Sequence, residues 1–372
     1  MMKNTKCARR HLRPDRIAAA GLIVFLAAGA AIALPKLLGR FRGDAPKNPT
    51  SLVSDLNDVT TTTTTETTTT TTTTTTSRYP APATRTTDTR QLTDVTDILA
   101  RNIAVIDMDS QTMLAEREAD AVIEPASMTK ILTIVTAVET LSEEQLRDGQ
   151  ITMTEEIIAP VRARQAICAG FLPGESCSVT DLLYGTILPS GADAAVALAV
   201  LTAGSEDAFV QLMNEKAAEI GMDSSHFCNA TGLHAEGHVS TAHDIARLLE
   251  YAIRIPVCKE VLEAKSWRTA QTDQHPSGIS LTSIVFWRLG DHTLNGIRIS
   301  GGKTGFTNQA GQCLATFASD NNGKTYVCVA AGCNDPMDAV YDTLLLYNRY
   351  TGASDGRMTR PAPEETTAPA AS

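Results

Sequence analysis

Apolar and polar positions divide the chain into stretches of different character. Ile17 to Leu34 is an uncharged apolar run closed by Pro35. Its length is near the lower limit for a helix that crosses a bilayer. From Lys47 to about Asp97 apolar positions thin out, and Thr60–Thr65 and Thr67–Thr76 form threonine runs broken only by Glu66. Such a tract cannot bury enough surface to fold and is expected to be a disordered spacer. Periodic patterning begins near Ile98. Asn102–Asp107 and Thr112–Ala115 read as strands of a hairpin around Asp109-Ser110-Gln111. Ile131, Leu132, Ile134, Val135 and Val138 are too apolar all round for a surface helix, so a buried helix is predicted from Ser127 to about Leu141. Ile151–Ile158 is expected to contain a strand. Helices are predicted over Val179–Pro189, Ala192–Leu201, Glu206–Ile220 and Ala242–Ala252, with a turn at Ser190-Gly191 and a stop at Gly221. Ile297–Gly301, Gln312–Ala318 and Thr325–Gly332 read as three successive antiparallel strands, and Asp335–Tyr350 as a last helix. Strands, then helices, then strands and a helix predict an α+β fold, an antiparallel sheet with packed helices. Residues 351–372, rich in Pro, Ala, Thr and Gly, are expected to be a disordered tail.

Composition narrows the function classes. A hydrophobic content of 43% supports a sizeable core, and a formal net charge of -10 argues against nucleic acid as a partner. The first sixteen residues are basic, carrying Lys3, Lys6, Arg9, Arg10, Arg13 and Arg16. That heavier positive flank places the N-terminus in the cytoplasm, so residues 17–34 are expected to act as a transmembrane signal anchor. The folded region would then sit outside the cell on a single-pass anchor, or be secreted if the segment is cleaved near Ala31-Ile32-Ala33. The expected organisation is a cytoplasmic basic segment (1–16), the anchor (17–34), a linker (35–97), a folded domain (98–350) and the tail.

Of eight cysteines, Cys7 precedes the apolar run and seven follow it. An odd number cannot all pair within one chain. Cys168 with Cys177, and Cys313 with Cys328, are candidate bridges; buried free thiols are the other reading. His234, His238 and His243 cluster in sequence, but Gly232 and Gly237 interrupt any shared helical face, so no metal or cofactor is assigned.

The candidate chemistry starts at Glu124-Pro125-Ala126-Ser127-Met128-Thr129-Lys130. Pro125 suits a first helical turn. Ser127 and Lys130, three apart, share one helix face. Burial lowers a lysine's pKa and makes it a general base at neutral pH, and a serine beside it at the positive end of a helix becomes a nucleophile.

Two further stretches follow in order: Ser190-Gly191-Ala192 in the turn before an alanine-rich helix, and Lys303-Thr304-Gly305 after a predicted strand. With Ser-x-x-Lys they resemble the three-part signature of penicillin-binding proteins and serine β-lactamases. Ile103-Ala104-Val105-Ile106-Asp107, Leu182-Leu183-Tyr184-Gly185, Met213-Asn214-Glu215-Lys216, Gly232-Leu233-His234 and Gly301-Gly302-Lys303-Thr304-Gly305-Phe306-Thr307 add to it. From about Asn102 to Tyr350 the chain resembles the serine D-alanyl-D-alanine carboxypeptidases, the low-molecular-mass penicillin-binding proteins.

The resemblance implies a β-lactamase/penicillin-binding transpeptidase-like domain. It also implies removal of the terminal D-Ala from peptidoglycan stem peptides through an acyl-enzyme on Ser127, with β-lactam antibiotics as covalent inhibitors. Lys130 would take the Ser127 proton, and Lys303 would help to keep Lys130 neutral. Ser190 would bond Lys130 and relay a proton to the leaving amine, or cap the helix that follows. Lys303 and Thr304 would hold the substrate carboxylate. Gly305 would let the substrate lie against the strand edge, and the backbone N–H groups of Ser127 and Phe306 would form the oxyanion site. Many relatives carry a second β-rich domain and a C-terminal amphipathic anchor; here the N-terminal segment is expected to anchor instead.

One position departs from the pattern. Ala192 stands where the second motif normally has Asn. A lost hydrogen bond to a charged partner costs about 1.5–3 kcal/mol, one to two decades in rate. The alternatives are therefore a penicillin-recognising wall protein with weak turnover, an endopeptidase acting on cross-links, or a β-lactamase. The last needs rapid deacylation, for which the class A enzymes use a glutamate before the third motif, and the look-alike from Asp291 to Asn295 is too close to Lys303 to be that loop.

Overall fold

The structure is a computed structural model that describes residues 79–82, 89–93, 96–290, 294 and 296–351. The expected anchor at 17–34, most of the expected linker, the tail beyond 351, Cys7, Asp291 and Asn295 lie outside the described residues. The elements begin with β1 (Arg90–Gln91), β2 (Asn102–Asp107), β3 (Thr112–Arg117), α1 (Thr129–Thr140), α2 (Glu143–Asp148), β4 (Gln150–Thr152) and α3 (Glu155–Ala163). Next come β5 (Ser176–Ser178), α4 (Val179–Ile187), α5 (Ala192–Ala203), α6 (Glu206–Ile220), α7 (Ala242–Ala252), α8 (Pro256–Glu263), β6 (Ser266–Arg268) and β7 (Ser280–Thr282). The chain continues through α9 (Ile284–Leu289), β8 (Ile297–Thr307), β9 (Gly311–Asp320), β10 (Thr325–Cys333) and α10 (Pro336–Tyr350).

The main sheet runs β1-β3-β2-β10-β9-β8, antiparallel except for the short β1–β3 pair. Strands from both ends of the folded region thus meet in one sheet. Side chains alternate between two cores. Ala104 and Ile106 of β2 face the larger core with α1, α5 and α7, while Ile103 and Val105 face the smaller one with α10. Because both faces are covered, these strands read as continuous apolar runs rather than as alternating patterns. The fold is α+β, as the pattern predicted.

Several boundaries differ from expectation. The strand expected within Ile151–Ile158 is β4, which ends at Thr152; α3 starts at Glu155, where Glu155 and Glu156 complement the positive helix end. Lys303-Thr304-Gly305 does not follow a strand but lies within β8, which extends six residues past Gly301. Its glycines explain the early stop in the pattern: a Cβ at Gly301 would sit 2.2 Å from the Leu262 carbonyl of α8. Before Ile98, Arg90–Gln91 pairs with β3. Tyr79–Pro82 packs on α7, where Arg247 donates to the Pro82 carbonyl at 2.8 Å.

The candidate disulfides are not formed; all seven described cysteines are free. Cys328 pairs in register with Thr316, and Cys313, three residues away on β9, points to the opposite core. Among the described residues no single helix is long and apolar enough to cross a membrane.

Candidate active site

The site is assembled where α1, the turn before α5 and β8 converge. Ala126–Met128 forms a short 3-10 turn that runs directly into α1. Ser127 and Lys130 therefore lie on one face, and Lys130 Nζ donates to Ser127 Oγ at 3.0 Å. Lys130 is 2% exposed, while Ser127 is only half-buried and opens to the crevice. Burial pulls the lysine pKa from 10.5 to about 7, against the opposing pull of Asp193 and then Cys168. A hydroxyl next to an amine that is half neutral at pH 7 is an activated nucleophile.

A loop the sequence reading did not assign to the chemistry holds this turn in place. Lys130 Nζ also donates to the Thr231 carbonyl at 2.5 Å, and Thr133 Oγ1 donates to the Ala230 carbonyl at 2.7 Å. Asn229 Oδ1 accepts from the N–H of Thr231 and Gly232 and fixes the loop's bend. Gly232 is in the left-handed region at φ +77, and a Cβ there would lie 1.9 Å from the Ala126 carbonyl. Only glycine permits that approach. The one signal in the sequence was Gly232 itself, within Gly232-Leu233-His234.

Ser190 and Lys303 form the second pair. Lys303 Nζ donates to Ser190 Oγ at 2.9 Å and to the Thr304 carbonyl at 3.0 Å. This corrects the expectation that Ser190 bonds Lys130. It also corrects the cap reading, since Gly191 is the N-cap of α5 and no side chain caps it. Ser190 instead holds a strained left-handed conformation, φ +66, next to the crevice. Ala126, beside the nucleophile, has φ +46. Such residues cost about 1–3 kcal/mol each and persist only where surrounding structure enforces them. Lys303 is 1% exposed; burial, then the charges of Lys130 and Arg288, hold its amine well below the ordinary lysine value.

The crevice has a volume of about 190 Å³. Ser127, Lys130, Ser190, Thr304, Gly305 and Phe306 line it, together with Ala192, so the structure gathers six of the seven expected site residues at its surface. Lys303 does not line it; its buried amine bonds Ser190 Oγ and the Thr304 carbonyl. Besides Lys130, Arg288 of α9 faces the crevice, and its Nη1 donates to Gln312 Oε1 at 3.2 Å. The sequence reading missed Arg288 because α9 is a six-residue helix without a clear periodic stripe. Gly305 has its vacant side toward the chain itself: a Cβ there would meet Ala126 Cβ and the Pro125 carbonyl at 3.2 Å, so it also brings β8 against the Ser127 turn.

Asp193 does not enter the crevice, as its helical position implied. It is fully buried and accepts the N–H groups of Ala169, Gly170 and Phe171 at 2.6, 3.0 and 3.3 Å. It thereby fixes the segment whose Gln165, Ala166 and Ile167 form the opposite wall. The clustered histidines go to separate partners: His234 to Glu124, His238 to Thr129, and His243 to Asp120. Burial holds His238 near 4, so it stays neutral.

Comparison with known proteins matches the family model described as Peptidase S11, D-alanyl-D-alanine carboxypeptidase, over residues 86–332. D-alanyl-D-alanine carboxypeptidase DacF of Bacillus subtilis is 31% identical over 241 residues, 64% of this chain and 59% of that one. D-alanyl-D-alanine carboxypeptidase DacA of Escherichia coli is 32% identical over 245 residues, 64% of this chain and 57% of that one. The chain thus spans somewhat more than half the length of these curated relatives. A crystal structure of the Streptomyces K15 DD-transpeptidase superposes with a TM-score of 0.60 at 25% identity, covering 66% of this chain and 94% of that one.

Proposed function

The chain belongs to the D-alanyl-D-alanine carboxypeptidase family, Peptidase S11, and from that membership and the crevice we propose that it is a serine-type D-alanyl-D-alanine carboxypeptidase. The observation that carries the reading is the 3.0 Å bond between a half-buried Ser127 hydroxyl and a buried Lys130 amine held near pKa 7.

The substrate is a peptidoglycan stem peptide ending in D-Ala-D-Ala. Neutral Lys130 takes the Ser127 proton as Oγ attacks the penultimate D-Ala carbonyl. The backbone N–H groups of Ser127 and Phe306 hold the oxyanion. The C–N bond breaks, and the departing amine collects the proton from Lys130, with Ser190 and Lys303 as the relay on its other side. D-Ala leaves, and water then hydrolyses the Ser127 ester. Thr304 and Arg288 grip the terminal carboxylate, while Lys303 acts through Ser190. The peptide backbone pairs with the edge of β8, the outer strand of the sheet. β-Lactams acylate Ser127 by the same attack. Residues 17–34 serve as the membrane anchor, residues 35–97 as the spacer and 98–350 as the extracellular catalytic domain.

A second reading has one observation in its favour. Ala192 lines the crevice with no hydrogen-bonding side chain, which suits a penicillin-recognising wall protein with weak turnover. Fluorescent penicillin labelling and D-Ala release from a diacyl D-Ala-D-Ala peptide separate the two. The enzyme labels and releases, and Ser127→Ala does neither. Labelling without release favours the second reading, and absence of both removes both.

A further inference from the structure

An oxyanion site made of the Ser127 and Phe306 N–H groups takes its donors from two separate elements, the turn before α1 and the strand β8. Such donors act only when both lie about 2.7–3.1 Å from the point where the oxyanion forms. A misplacement of about 1 Å costs about a hundredfold in rate. A side chain that fixes β8 against the Ser127 turn therefore controls the rate without touching the substrate.

Glu124 is placed for that task. It lies three residues before Ser127. An ionised carboxylate only accepts hydrogen bonds, and here each oxygen accepts one from a different part of the fold. Thr307 Oγ1, next to Phe306 in β8, donates to Oε2 at 3.3 Å. His234 Nδ1, just past the loop whose Thr231 carbonyl holds Lys130, donates to Oε1 at 2.8 Å. Thr307 Oγ1 also accepts the Ala310 N–H at 2.9 Å, so the same hydroxyl fastens the turn between β8 and β9. The carboxylate thus joins the nucleophile's turn, the lysine's loop and the oxyanion strand. The strain beside the nucleophile needs such a tie. Ala126 sits between Glu124 and Ser127 at φ +46, a conformation that persists only where neighbouring contacts enforce it. On its N-terminal side the main chain of Ile123 is paired with Ser240 at 2.8 and 2.9 Å, and Glu124 then fixes the next residue to β8. The Glu124 side chain is 21% exposed and that of His234 50%. A pair so open to water contributes little to global stability, so its worth lies in geometry.

We propose that Glu124 is a positioning residue for acylation: by holding Thr307 and His234 at once, it sets the distance between the Ser127 and Phe306 N–H groups and so the strength of the oxyanion site. The inference rests on the carboxypeptidase reading and adds a residue to it. Glu124 does not line the crevice and acts only through the segments it joins.

The test compares wild type, Glu124→Ala, Glu124→Gln and Thr307→Val. Three quantities are measured: D-Ala release from the diacyl D-Ala-D-Ala peptide, the acylation rate constant of fluorescent penicillin from pH 5 to 9, and the melting temperature. Glu124→Ala should lower kcat about 10- to 100-fold with KM changed less than about twofold. The acylation plateau should fall by the same factor, while the acid limb set by Lys130 stays near pH 7. The melting temperature should change little. Glu124→Gln should recover most of the rate, because its amide oxygen still accepts from His234 and its amide N–H can donate to Thr307 Oγ1. Thr307→Val, which cuts the tie to β8, should lose kcat as Glu124→Ala does; it carries the test if the alanine variant fails to fold. An unchanged kcat in Glu124→Ala or Thr307→Val overturns the positioning role. So does a displaced acid limb over an unchanged plateau, which would mean that Glu124 acts on the charge of Lys130. Both results leave the carboxypeptidase reading standing. A wild-type chain that neither labels nor releases D-Ala overturns that reading and the positioning role with it.

Discussion

Acidification should switch acylation off by protonating Lys130. The lysine pKa of about 7, down from 10.5, reflects burial at 2% exposure. Only the neutral amine can accept the Ser127 proton. With that pKa, about 90% is neutral at pH 8, about 10% at pH 6 and about 1% at pH 5. The second-order rate constant for fluorescent penicillin, measured from pH 5 to 9 at constant ionic strength, should fall tenfold per pH step below about 7. The same shift carries a stability signature. The unfolded chain takes up this proton near pH 10.5 and the folded chain only near 7, so stability rises with pH between those values. Below pH 7 the burial cost is present in full, about 5 kcal/mol by conversion of the shift. Lys130→Met should abolish acylation and flatten that part of the stability profile. His238, held near 4, cannot produce a limb at 7, and burial raises the Cys168 thiol rather than making it a thiolate base. An acid limb centred at pH 4 to 5 would point to a carboxylate base, and a limb near 10 to an unperturbed lysine; either result refutes the assignment of Lys130.

Four other outcomes follow from the geometry. Gly232→Ala, forced to hold φ +77 with its Cβ against the Ala126 carbonyl, should lose penicillin labelling and more than about 1 kcal/mol of stability in urea melts. Asp193→Ala strands the buried N–H groups of Ala169 and Phe171 and the part-buried one of Gly170, and should cost about 3 kcal/mol or more. Asp193→Asn, which removes a charge that raises the Lys130 pKa, should move the acid limb to lower pH. Ala192→Asn should raise D-Ala release by about one to two decades, and an unchanged rate would show that the missing amide is compensated. Dithiothreitol should leave the melting temperature unchanged, because a broken disulfide would cost about 2–4 kcal/mol and none is formed among the described residues.

The reach of the sequence follows the range of the forces involved. Helix and strand periodicity are local, so α6 and α7 were predicted to their first and last residues, with Gly221 in the left-handed region stopping α6. The Ser127–Lys130 contact was equally legible, because it spans three residues within a single turn. The order of the three motifs carried the family and the fold. α8, α9 and the β6–β7 ribbon are too short for the pattern to have marked them, and Arg288 went unnoticed with α9.

Partner choice was decided only in three dimensions. Lys303 reaches Ser190 across 113 residues and Lys130 reaches Thr231 across 101. The motifs pointed to Ser127, Lys130, Ser190 and Lys303 but paired Ser190 with Lys130, where the structure pairs it with Lys303. A chain sets which hydroxyls and amines exist and, through local torsions, which face each one occupies. Which of two buried ammonium groups meets a given oxygen depends on the packing of β8 against α5 and the Ser127 turn. The separation of Cys313 from Cys328 is the same lesson: the register of β9 on β10 turned two adjacent-strand thiols toward different cores.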